Sequence, residues 1–88
     1  MHPLNLELTL VPQGRQVTFS QGIRQRVHIY RRVASESRAW QQVAYDARSP
    51  FVDTAAFPAG TTLEYHVQYF TPQDQYEGHS HLVQVRLA

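Results

Sequence analysis

The chain has 88 residues, of which 42% are hydrophobic and 17% charged, with no cysteine and a net charge of +1. This length allows one domain with a thin core, and the composition is typical of an ordered globular chain. Disulfides, thiolate zinc sites and a cysteine nucleophile are excluded, and so small a net charge argues against nucleic-acid binding.

Alternating apolar residues predict a series of short β-strands in the first half of the chain. The predicted strands are Leu4–Leu10, Val17–Phe19, Val27–Val33 and Trp40–Tyr45. Turn-forming residues separate them at Pro12–Gly14 and Ser20–Gly22, and a polar loop is expected over Ala34–Arg38. For the strand that begins at Trp40, the pattern leaves open which face is buried.

The second half of the chain continues the same pattern. Phe51–Phe57 is a weak strand or a short helical turn, Leu63–Phe70 alternates strictly, and His81–Leu87 is the last predicted strand. Seven short strands at intervals of roughly 8–12 residues, with turns between them, are typical of β-sandwiches. We therefore predict an all-β, seven-stranded antiparallel β-sandwich that occupies residues 1–88 as a single domain.

Several short motifs resemble the fibronectin type III family, and the likeness extends over nearly the whole chain. In chain order the motifs are Val27-His28-Ile29-Tyr30-Arg31, then Trp40 and Val43, Phe57-Pro58-Ala59-Gly60-Thr61, Tyr65-His66-Val67, and Gly78-His79-Ser80. Two positions depart from the family, since Phe19 replaces a tryptophan and Tyr65 lies two residues beyond the corner position at Leu63. The resemblance implies a divergent immunoglobulin-like sandwich, and a fold of this kind does not by itself assign a function.

The polar face of the central strands is the predicted contact surface. The alternation of side chains places these residues on its outward side: His28, Tyr30, Arg32, His66, Gln68, Phe70 and Arg86. His28 and His66 are expected on neighbouring strands, with Cβ atoms about 4.5–5.5 Å apart if they lie in register. Aromatic and arginine side chains of this kind suit a protein partner or a glycan. The alternative is an ordinary solvated sheet face with Phe70 under the following loop.

Catalytic and metal-binding patterns find little support. The serines fall in predicted turns outside any Gly-x-Ser-x-Gly motif, the acids are scattered singly, and no glycine-rich phosphate loop is present. His79 and His81 are spaced to share a strand face, but the pleat directs His66 outward and His81 inward. We therefore expect no enzyme activity, no metal and no cofactor.

The function we expect is that of a non-catalytic module for protein–protein interaction or domain spacing within a larger assembly or a longer protein. A carbohydrate-binding accessory module is the alternative, with Trp40, Tyr45, Tyr69 and Tyr76 as candidate sugar-stacking residues. Homo-oligomers through exposed edge strands are a further possibility. The segment Met1–Leu4 lacks the features of a signal peptide, and no apolar stretch approaches the roughly 20 residues of a membrane span. We expect a soluble chain, and the compartment stays open.

Overall fold

The computed structural model describes residues 6–22, 24–34 and 39–88, which form eight β-strands and no helix. The strands are β1 (Leu6–Val11), β2 (Gly14–Phe19), β3 (Arg26–Val33), β4 (Gln41–Ala44), β5 (Phe51–Asp53), β6 (Thr62–Phe70), β7 (Tyr76–His79) and β8 (Val83–Arg86). The prediction of an all-β protein made of antiparallel strands is confirmed. Nowhere in the described part of the chain is there a helical segment that would cross a lipid bilayer.

The strands form two antiparallel sheets. The first has three strands in the order β1-β2-β5, and the second has the order β4-β3-β6-β7, with β8 pairing on β6 as well. The longest pairing joins β3 to β6, from Arg26 opposite Phe70 to Val33 opposite Leu63. This arrangement makes β3 and β6 the centre of the second sheet and fits a β-sandwich.

The core lies between the sheets and is filled by residues that alternate along each strand. On β6, the four side chains Leu63, Tyr65, Val67 and Tyr69 are all buried, as their period of two predicts. Val27 and Ile29 of β3 and Val17 of β2 meet them from the neighbouring strands. Full burial of an aliphatic side chain contributes about 1.5–3 kcal/mol, so Leu63 and Val67 of β6 together contribute about 3–6 kcal/mol.

The end of the chain differs from the prediction, because an additional strand precedes the last expected one, His81–Leu87. β7 occupies Tyr76–His79, where no strand was predicted, and β8 begins only at Val83. Between β7 and β8, the Ser80 hydroxyl takes the place of a backbone carbonyl in the hydrogen bonding with β6. Its Oγ accepts from Val67 N–H at 3.0 Å and donates to the His81 carbonyl at 2.8 Å, while Ser80 N–H donates to the Val67 carbonyl at 2.9 Å. The described residues therefore hold eight strands where seven were predicted.

Smaller differences concern the strand bounds. Leu4, the predicted start of the first strand, and most of the loop Ala34–Arg38 lie outside the described residues. The weak segment Phe51–Phe57 forms a three-residue strand, β5, and no helical turn. In β4, Val43 and Ala44 pack partly against the core while the two glutamines before them are exposed. Neither alternating set of this strand is buried throughout, because the register with β3 shifts between Ile29 and Tyr30.

Candidate functional site

The predicted contact surface lies on the outer face of the five-stranded sheet, the face turned away from the other sheet. Tyr30 of β3 lies directly opposite His66 of β6, and His28 lies opposite Gln68. His28 and His66 therefore lie on neighbouring strands, as predicted, but they are diagonal neighbours and not in register. Arg86 on β8 lies opposite Thr62, beyond the far end of this row of aromatic residues, and is exposed.

One aromatic cluster is centred on His66, and we call it the His66 cluster: Tyr30, Arg32, Trp40, Glu64 and His66. The Tyr30 ring stacks on the His66 imidazole with centroids 5.1 Å apart, and the Trp40 ring meets the same imidazole edge-on at 4.3 Å. The Arg32 guanidinium lies over the Trp40 ring at 4.3 Å, and its Nε and Nη2 donate to Glu64 Oε1 at 2.8 and 2.7 Å. These contacts fix the rings in place on a half-buried surface.

His28 belongs to a second cluster, and the structure corrects the prediction that it is outwardly accessible. Tyr45, from the turn after β4, stacks on the imidazole at 4.3 Å, and Phe70 covers it at 4.7 Å. The side chain is only 4% exposed, and its Nδ1 accepts the Asp46 N–H at 3.1 Å. Tyr45 itself is 60% exposed, so Tyr45 is the group that a partner would meet at this position. Phe70 is half-buried, with Tyr76 edge-on to it at 5.8 Å.

An open cleft of about 430 Å³ lies between the His66 cluster and the edge of the sheet. Its walls are formed by seven residues: Trp40, His66, Gln68, His79, Ser80, His81 and Leu82. Gln68 Nε2 lies 3.3 Å from His66 Nε2, and His79 Nδ1 lies 2.6 Å from the Tyr76 hydroxyl. Sequence reasoning missed this cleft because it depends on β7, and the histidine pair at 79 and 81 was its one visible signal.

Electrostatics in the cleft disfavour the protonated form of His66. Burial is the largest cause that lowers the pKa of His66, and the nearby His79 and Arg32 lower that pKa further. A neutral imidazole also explains the contact with Gln68, since the amide nitrogen can only donate and the His66 Nε2 must then accept. Among the described residues, no group of three or more histidine or carboxylate side chains is arranged to hold a metal ion.

A buried ionic network joins the two sheets, and the sequence analysis did not identify it. Asp53 Oδ2 accepts from the Tyr65 hydroxyl at 2.5 Å and from Arg31 Nη1 at 2.7 Å, and Arg15 Nη2 lies 3.3 Å from the same oxygen. Arg15 Nε in turn donates to the Tyr65 hydroxyl at 3.0 Å. Both guanidinium groups lie over the Phe57 ring, with 5.5 and 4.8 Å to its centroid. The hydroxyl of Tyr65, which lies two residues beyond the expected corner position, thus bonds to the carboxylate side chain of Asp53.

The protonation states in this network follow from its contacts. Burial alone would raise the pKa of Asp53, but the hydrogen bonds from Tyr65, Arg31 and Ala55 N–H outweigh it and hold that pKa below its ordinary value. Burial, followed by the hydrogen bond to Asp53, raises the pKa of Tyr65 to about 12. Asp53 is therefore ionised and Tyr65 protonated across the physiological range, and the network links strands β2, β3, β5 and β6.

Comparison with known proteins gives a likeness in structure. No family model and no curated protein sequence matches the chain. A region of the pectate lyase PelI from Erwinia chrysanthemi, whose crystal structure was determined in complex with tetragalacturonic acid, has a similar fold with a TM-score of 0.75 and 17% sequence identity. The match covers 96% of this chain and 28% of that chain, so this protein corresponds to about a quarter of the pectate lyase. At this identity, the likeness shows that the two share a fold.

Proposed function

We propose that the chain is a non-catalytic, fibronectin-III-like module that mediates protein–protein contact or spaces other domains within a larger protein or assembly. The observation that carries this proposal is the His66 cluster, where Tyr30, Trp40 and Arg32 are held in fixed positions on the outer sheet face. Pre-ordered aromatic and arginine side chains are the residue types that dominate protein-binding hot spots. The outer face therefore supplies anchors for a partner at little entropic cost.

The geometry of the rings favours a protein partner over a flat sugar surface. The Tyr30 and His66 rings are nearly parallel, at 13°, but Trp40 stands at 88° to His66. In the second cluster Tyr76 stands at 72° to Phe70. A crystalline polysaccharide surface requires coplanar exposed rings, whereas a protein surface accommodates rings at different angles. Tyr69, a candidate stacking residue in the sequence, is fully buried and cannot contribute.

The test is a comparison of the wild-type chain with the double variant Tyr30→Ala/His66→Ala. A partner recovered from the native host would be purified and its affinity measured for both proteins. We expect the double variant to bind about tenfold or more weakly while its thermal unfolding stays cooperative. Thr9→Ala, an exposed position of β1 in the other sheet, is the matched control. Equal affinity, or loss of the folded state in the double variant, would refute the role of this surface.

A carbohydrate-binding accessory module is the second candidate, and the structural comparison favours it. The region similar to this chain is part of a pectate lyase that was solved with tetragalacturonic acid. A module of this kind would hold the enzyme against its polysaccharide. Affinity electrophoresis in gels that contain polygalacturonate, neutral galactan or cellulose tests this, because selective retardation in one gel would favour it over a protein partner.

Self-association through a free edge strand is compatible with either function. β1 and β5 lie at the edges of the first sheet and β4 and β7 at the edges of the second. Unpaired backbone groups at such edges can pair with a second copy. Sedimentation over a concentration series would show a rising mass if this occurs and a constant monomer mass if it does not.

A further inference from the structure

The cleft beside the His66 cluster lacks negative charge. Of its seven lining residues three are histidines and none is a carboxylate. Glu64, the acid of the His66 cluster, is engaged by two nitrogens of Arg32 through a single oxygen, Oε1. Burial lowers the pKa of the His66 imidazole, and the nearby His79 and Arg32 lower that pKa further. The cleft lining thus holds three imidazoles and no carboxylate, and the nearest ion pair, Arg32 with Glu64, lies beside it.

The shape and the donors of the cleft narrow the class of ligand. A concave site of this volume lies within the range of small-ligand pockets, about 300–1,000 Å³. The Trp40 ring forms an aromatic wall, and the polar side chains of Gln68, His66 and His79 lie beside it. Such a set matches a sugar ring, which has an apolar face and hydroxyl groups around its rim. The missing negative charge would come from a carboxylate on that ring.

We infer that this cleft binds a carboxylate-bearing saccharide, a uronic acid unit, with the ring against Trp40 and the carboxylate near the imidazoles of His66 and His79. The inference rests on the second candidate function, the carbohydrate-binding module, and specifies which saccharides it takes. Uptake of a proton by the His66 imidazole converts a neutral group into a charged donor, and hydrogen bonds between charged partners are about twice as strong. Binding therefore strengthens as the pH falls through the histidine range.

The groups that face His66 from each neighbouring element are consistent with this pH response. Arg32 and Tyr30 approach from β3, Glu64 lies on β6 in its ion pair with Arg32, and His79 approaches from β7. Without a ligand, Arg32 and His79 oppose protonation of His66. A bound carboxylate acts in the opposite direction, because a negative charge beside His66 favours its protonated form.

The experiment measures binding of oligogalacturonate by calorimetry at about pH 7.5 and about pH 5.5. Three probes are compared: the free acid, the fully methyl-esterified oligomer and polyglutamate. We expect the free acid to bind, at least about tenfold more tightly at the lower pH, and the neutral ester to bind at least about tenfold more weakly. His66→Gln should remove the pH response and His79→Gln should weaken binding of the free acid, whereas Arg26→Gln, which deletes a positive charge at the far end of β3 outside the cleft, should leave both unchanged.

Each of the other outcomes would contradict a particular part of the proposal. Equal binding of acid and ester would overturn the inference and leave the carbohydrate function standing. Binding of polyglutamate as tight as that of the saccharide would also overturn it, in favour of an acidic protein partner. No binding of any saccharide would remove both the inference and the second candidate function. Should His66→Gln fail to fold, His79→Gln, at an exposed position, still gives the decisive measurement.

Discussion

Replacing Asp53 by asparagine tests whether the buried ionic network holds the two sheets together. The substitution keeps the size of the side chain and removes its charge, so Arg15 and Arg31 lose the carboxylate they share at 3.3 and 2.7 Å. Asn can still accept the Ala55 N–H that Asp53 Oδ1 accepts now. The loss is therefore mainly electrostatic: two buried guanidinium groups remain, with only the Phe57 ring and polar oxygens as partners.

The magnitude follows from the burial of all three groups. Removing one partner from a buried ion pair costs about 3–5 kcal/mol, because the remaining charge keeps its desolvation penalty. A domain of 88 residues has a free energy of unfolding of about 4–13 kcal/mol, so the variant loses about a quarter of it at the least. Glu64→Gln, which breaks the half-buried pair with Arg32 on the outer face, is the matched control and should cost about 1 kcal/mol or less.

Urea unfolding monitored by fluorescence gives both free energies, provided that the denaturant dependence stays the same in each variant. We expect Asp53→Asn to shift the midpoint several times further than Glu64→Gln does. Acid unfolding adds an independent check. Because the folded pKa of Asp53 is depressed, its contribution is present above the ordinary aspartate pKa and is lost as the pH falls through the folded value. This account of the network would be refuted if the two variants lost the same free energy of unfolding. It would also be refuted if Asp53→Asn unfolded in acid at the same pH as the wild-type chain.

Three further predictions concern single residues of the core and its turns. Tyr69→Phe should raise the free energy of unfolding by about 1 kcal/mol in the same urea assay, because the buried Tyr69 hydroxyl has no hydrogen-bond partner among the described residues; destabilisation would contradict this. Tyr65 should ionise only near pH 12 in an ultraviolet titration, and stability should fall between the ordinary tyrosine pKa and that value, because the unfolded chain releases the proton first; ionisation at the ordinary pKa would contradict it. Gly14→Ala should lower the free energy of unfolding by about 1–3 kcal/mol, because a Cβ there would press on the Asp53 backbone carbonyl. Gly60 also has a positive φ, but a Cβ there would meet open space. Gly60→Ala therefore measures backbone strain without the steric contact.

The sequence predicted most of the fold because burial in a sheet leaves a period of two. Leu63, Tyr65, Val67 and Tyr69 are buried as their alternation predicts, and His66 and Gln68 lie on the opposite face. β7 escaped prediction because Gly78 interrupts it and its remaining residues are exposed. Its strand structure comes from pairing with β6, a contact that local sequence does not encode.

The candidate site was predictable only in part. The alternation of side chains along the strands placed Tyr30, Arg32 and His66 on one face, and their contacts agree with that placement. Parity did not reveal that Tyr45, from a turn, covers His28, or that Trp40 packs on His66. The ionic network left one signal, since Arg31 shares the inward parity of Val27 and Ile29. A charged residue at an inward position requires a buried partner, but the sequence does not say that the partner is Asp53.

The Ser80 side chain, which takes the place of a ladder group between β7 and β8, has a consequence for solubility. A straight, continuous edge strand would offer an uninterrupted row of backbone donors and acceptors to other chains, which is a route to aggregation and fibril growth. Here Val67 N–H is bound to a hydroxyl, and the edge is broken into two strands of four residues each. A foreign strand would find no continuous register along this side of the sheet. The buried Ser80 thus limits the pairing of this sheet edge with strands of other chains.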